Sequence, residues 1–183
     1  MKRKLLILSV LAICVAMLAG GTLAFFTSED KAHNVITTGG VEITLQEWAD
    51  EAKTTPFKDL TGVMPNTTVT KIAEIRNTGA SDAWVRVKVE KNISLQGDGT
   101  PDTGLVELTR SSTDWTEKDG YYYYTKVLKP GEVTAPIFTA VTFNADMGNE
   151  YQNATATVDV FAQAVQTANN GATVMDAQGW PKA

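Results

Sequence analysis

Cysteine is nearly missing from this chain: the one present, Cys14, lies in the middle of an apolar run near the start. A lipid-modified leader would place its cysteine at the cut, after a small residue. Cys14 follows Ile13 instead, so that modification does not fit. Beyond residue 24 there is no cysteine, which excludes disulfides, a thiol nucleophile and thiolate metal ligands. Histidine is just as scarce. His33 alone cannot build the paired histidines of a His-Glu-x-x-His zinc site. A Ser-His-Asp triad would have to use that same residue, and no Gly-x-Ser-x-Gly elbow occurs. A basic stripe is absent too. Net charge is −5, and removing the three positives of the leader described below leaves −8, which argues against a nucleic-acid partner. Clean helical periodicity is missing over any stretch of ten residues or more; only residues 46–53, "QEWADEAK", suggest a turn of helix.

What is present begins with an export leader. Lys2, Arg3 and Lys4 precede an apolar run over residues 5–18 that is short for a membrane span. Small residues follow in "AGGTLA", with Thr22 and Ala24 three and one positions before a cut between Ala24 and Phe25. Residues 1–24 therefore read as a signal peptide, with an uncleaved membrane anchor as the alternative. An exported chain without disulfides has to rely on its core and its sheet hydrogen bonds.

The remainder alternates with period two, the pattern of half-buried strands. "VEITLQ" sets Val41, Ile43 and Leu45 on one face, and "WVRVKVE" sets Val85, Val87 and Val89 inward with Arg86, Lys88 and Glu90 outward. "ATATVDVFAQAV" aligns Ala156, Val158, Val160, Ala162 and Ala164; "APIFTAVTF" aligns Ile137, Val141 and Phe143. "YYYYTKVL" and "TVTKIAEI" complete the set, the latter with Ile72 and Ile75 out of phase, which suggests a bulge. Turn sequences such as "MPNT", "NTGAS", "EKDG" and "KPGE" punctuate these runs. Seven or eight such strands predict an all-β antiparallel sandwich, of jelly-roll or immunoglobulin-like order. "MPNTTVTKIAEIRN" and "LKPGEVTAPIFTAVTFN" also echo one another as Pro-containing turns feeding a strand.

Few residues carry chemistry. Twenty-one acidic residues offer no pair that spacing selects. "QGDGTPDTG" shares with a calcium loop only Asp98, Asp102 and its glycines, and reads as a hairpin loop. Alternation in Tyr121, Tyr122, Tyr123 and Tyr124 points two rings inward and two outward. Trp48, Trp84 and Trp115 read as core or surface by default, and Trp180 belongs to a tail expected to fray. Asn66, Asn92 and Asn153 open N-x-[ST] sequons, relevant only in a glycosylating host.

Several stretches together resemble the TasA/camelysin family of exported Gram-positive proteins. They are "LAGGTLAFFTSEDKAHNVITTGGVEITL", "VMPNTTVTKIAEIRNTGASDAWVRVKVE", "VLKPGEVTAPIFTAVTFN" and "YQNATATVDVFAQAVQTAN", with residues 96–117 the weakest. The resemblance implies a jelly-roll-like β-sandwich, release by a signal peptidase of the SipW type, and self-assembly into fibres of the biofilm matrix. It also implies that the segment after the cut inserts as a strand into the next subunit. On this chain the donor is residues 25–36, with Phe25, Phe26, Val35 and Ile36 as its apolar residues. The alternative is that Phe25 and Phe26 form a first strand of their own domain. Some relatives are described as metallopeptidases; with His33 alone, that activity does not carry over, and no cofactor or metal is expected. The resulting division is a signal peptide at 1–24, an exposed N-terminal segment at 25–40, a β-sandwich at 41–168 and a tail at 169–183. Three readings follow: a secreted fibre subunit whose partners are itself and other matrix proteins, an exported peptidase of camelysin type, and a surface binding module with exposed aromatics.

Overall fold

The alternating runs pair into two sheets. The computed structural model describes residues 35–37, 40–58, 65–110 and 112–181. Their strands are β1 (Val35–Thr37), β2 (Ile43–Trp48), β3 (Thr67–Asn77), β4 (Ala83–Ser94), β5 (Val106–Thr109), β6 (Trp115–Lys118), β7 (Tyr121–Tyr124), β8 (Phe138–Phe143) and β9 (Thr155–Gln166). One sheet has the order β1-β9-β4-β7-β6 and the other β2-β3-β8-β5. Pairing is antiparallel except between β1 and β9, which run parallel. Early and late strands interleave in both sheets, the crossing pattern of a jelly-roll-like sandwich.

The inward phases meet between the sheets. Val85, Val87, Ala162 and Ala164 from one sheet pack with Ile43, Leu45, Ala73, Ile75, Phe138 and Val141 from the other. Each aliphatic side chain fully removed from water in such a core contributes about 1.5–3 kcal/mol. With no cysteine beyond residue 24, this apolar layer and the sheet hydrogen bonds hold the described domain without disulfides. The out-of-phase isoleucines mark a bulge as expected: Thr70 pairs with Ala140 but Ala73 with Phe138, so β3 carries one extra residue there. The two echoing segments become neighbours, since they contain β3 and β8.

Two expectations are corrected. Residues 46–53 do not form a helical turn. β2 continues to Trp48, and the chain then turns back through a loop held by Asp50, whose carboxylate accepts hydrogen bonds from the backbone N–H groups of Thr54 (3.1 Å) and Thr55 (2.7 Å). Those donors, Thr54 first, hold the Asp50 carboxyl below its ordinary range. The tail does not fray either. Val174 and Ala177 are buried with Trp84, Tyr123 and Val165 in a second small core on the outer face of the five-stranded sheet, against which Trp180 packs. The Trp180 ring meets Tyr123 edge-on at 6.0 Å, and the Arg86 guanidinium lies 4.0 Å from the Tyr121 ring and 4.6 Å from that of Trp180.

Candidate assembly edge

β9 is the longest strand in contact with the N-terminal region, and its two edges differ. Along one it pairs with β4 over all twelve residues, Thr155 to Gln166. Along the other, among the described residues, β1 covers only Ala162, Gln163 and Ala164, in the register Val35↔Ala162 and Ile36↔Gln163. The facing of each backbone group follows from the β4 ladder. Just past the ladder, the Thr167 N–H donates to the Asp82 carbonyl at 3.1 Å. Odd-numbered residues of β9 therefore bond to β4, and even-numbered ones turn N–H and C=O to the opposite edge. Ala156, Val158 and Val160 accordingly present backbone groups along residues 155–161, a stretch that no described strand pairs on that side. Unpaired edges of this kind accept added strands unless something blocks them.

A lysine of the facing sheet reaches this one. Lys71 follows Val69 and precedes Ala73 in the inward phase of β3, and its side chain is 8% exposed. Its ammonium donates to the Val158 carbonyl at 3.3 Å, pairs with Glu47 Oε1 at 3.0 Å and lies 4.4 Å from the centre of the Phe57 ring. On the outer side of the same corner, the buried Glu74 accepts from Trp48 Nε1 at 3.0 Å and pairs with Lys53. The opposite flank repeats the device. Lys91 continues the inward phase of Val85, Val87 and Val89 in β4 and donates to the Val106 carbonyl at 2.7 Å. The Asn144 N–H already bonds the Leu105 carbonyl, so Val106 faces the outer edge of β5. Beside Lys91, an open pocket of about 170 Å³ is lined by Val89, Leu108, Arg110 and Tyr122. Partial burial raises the Tyr122 hydroxyl pKa against the lowering effect of Arg110.

The residues singled out in the sequence fall as follows. Val35 and Ile36 lie in β1 against β9. Cys14, Ala24, Phe25, Phe26 and His33 lie outside the described residues. Asp102 caps a short 3-10 turn, accepting from the Gly104 N–H at 2.7 Å, while Asp98 is exposed. Tyr122 and Tyr124 face the inter-sheet side, the Tyr124 ring meeting that of Trp115 at 5.0 Å in a tilted arrangement, and Tyr121 and Tyr123 face outward under the tail. Among the described residues, no bare aromatic platform is left on that face. Lys71, Lys91 and Glu47 were not singled out, although a signal existed: each is a charge in the inward phase of an alternating run.

Among the described residues, no donor set fits a catalytic zinc. The chain offers a single histidine, and no three His, Cys, Asp or Glu side chains converge among the described residues. The sequence pattern of the camelysin metallo-endopeptidase family matches residues 1–104, more than half of the chain and through the whole of β4. No curated protein and no solved structure gives a significant match.

Proposed function

The chain belongs to the camelysin metallo-endopeptidase family, and from that premise we propose that it is a secreted structural subunit that builds extracellular matrix fibres by donating its N-terminal strand. The observation that carries this reading is the β9 edge. It holds β1 over three residue pairs and leaves residues 155–161 without a strand among the described residues. As an edge strand, β1 has a neighbour on one side of its sheet only, which makes it easier to exchange than an internal strand. A neighbour's segment laid along the same edge would satisfy main-chain groups on both strands and place alternate side chains into the sandwich. Donor and acceptor are different surfaces of one subunit, so the contact is head-to-tail and propagates as a filament.

In this reading the leader exports the chain, a signal peptidase of SipW type cuts between Ala24 and Phe25, and the cut frees the donor. Phe25 and Phe26 anchor its free end, with Val35 and Ile36 at the other. The partners are further copies and other matrix proteins. The family's name favours a second reading, an exported metallopeptidase, against which the donor set weighs.

Electron microscopy separates the outcomes. Protein beginning at Phe25 is expected to form filaments, and protein lacking residues 25–36 to stay monodisperse. Monomers from both at high concentration would sink strand donation. The same preparation is expected to show no chelator-sensitive cleavage of casein; clear chelator-blocked cleavage would establish the peptidase.

A further inference from the structure

On each flank of the sandwich, an edge-facing carbonyl of one sheet is taken by an inward-facing lysine of the other: Val158 by Lys71, and Val106 by Lys91. We propose that Lys71 and Glu47 form a latch over the β9 edge, which closes residues 155–161 to the N-terminal strand of a second copy until the Lys71 ammonium leaves the Val158 carbonyl. This rests on the strand-donation reading and names what controls it.

Four considerations carry the proposal. A lysine in an inward phase loses hydration that a valine or leucine would not need, so its position calls for a compensating role. Inward-pointing charge is one of the ways a sheet edge is protected from pairing. The position also competes. At 3.3 Å from the Val158 oxygen, the ammonium already engages the acceptor that the N–H of an incoming strand would use, at about 2.9 Å from the same atom. Finally, the two flanks differ in a way that selects β9. The Lys91 contact is short at 2.7 Å and guards a four-residue strand. The Lys71 contact is long, its ammonium is shared with Glu47 and faces the Phe57 ring, and it guards a seven-residue stretch that continues from an edge β1 already uses. A strand in the β1 register, where Val35 meets Ala162, would meet that stretch with its residues 28–34.

The test uses a fluorescent peptide of residues 25–37 titrated by anisotropy against the full chain and its variants. β1 competes equally in all of them, so differences report the latch. Lys71→Met, and Lys71→Met combined with Glu47→Leu, are each expected to bind the peptide about tenfold more tightly than the unaltered chain. Lys91→Met is expected to leave binding unchanged. The double variant carries no buried carboxylate left by loss of its lysine, so it remains informative if Lys71→Met alone misfolds; circular dichroism verifies the fold. A folded double variant that binds no more tightly than the unaltered chain overturns the latch. If the unaltered chain still grows filaments in that case, strand donation stands without the latch. If no chain binds the peptide and no filaments form, both fall.

Discussion

Trp84→Ala is expected to cost about 4 kcal/mol and to release the C-terminal tail. The indole is 5% exposed and sits in the small outer core with Tyr123, Val165, Val174 and Ala177. Its Nε1–H donates to the Asn170 carbonyl at 3.0 Å, which ties the start of the tail to β4. Truncation removes a large contact area and leaves that carbonyl without its donor. Urea unfolding should therefore shift to lower concentration, and limited proteolysis should cut within residues 168–181 while the sandwich survives. Trp180→Ala should do less, because that ring is half-buried and its own Nε1 bonds only to the nearby Ala177 carbonyl. A Trp84→Ala chain within 1 kcal/mol of the original would mean that the tail rests on the sheet without being held by it.

The strands that could be read from the sequence are those in which one face meets the core along the whole run. β2, β3, β4, β8 and β9 are of this kind, and the bulge in β3 was visible because it shifts the phase of two isoleucines. β5 and β6 were not legible. "VELT" and "WTEK" are four residues each, lie at the edges of their sheets and are partly exposed, so few positions reveal a buried face. The helical turn assigned to residues 46–53 failed for a related reason. A Trp, an Asp and small residues in sequence suit a turn of helix, but the Asp50 carboxylate binds backbone N–H groups better in a loop. The tail was illegible because its partner face, Trp84, Tyr123 and Val165, comes from three separate strands. For the proposed strand donation, the sequence offers candidate donor residues only through the family resemblance. The proposed acceptor depends on which side of β9 lacks a partner among the described residues, and only the pairing of the strands decides that.

Asn77→Ala is expected to cost about 3 kcal/mol, because three hydrogen bonds, each contributing about 1 kcal/mol net, are lost with its side chain. Asn77 is completely buried at the end of β3, where the chain leaves the four-stranded sheet for β4 in the other. Its Nδ2 donates to the carbonyls of Ser81 and Leu128, both at 2.8 Å, and its Oδ1 accepts from the Gly79 N–H at 3.0 Å. One side chain thus joins the turn at 78–82, the loop after β7 and, through Gly79, the residue just before β2, since the N–H groups of Thr78 and Gly79 both donate to the Glu42 carbonyl at 2.9 Å. The turn packs so closely that a Cβ on Gly79 would lie 2.7 Å from the Glu42 nitrogen. Gly79→Ala should therefore destabilise the same corner through steric conflict alone. Thermal unfolding of Asn77→Ala, Gly79→Ala and the pair separates the two causes. Losses smaller than additive in the pair indicate one shared corner, in which the first substitution has already loosened what the second would strain. Fully additive losses would mean that the Asn77 hydrogen bonds and the Gly79 approach act independently, and that the crossing between sheets is held at two separate points.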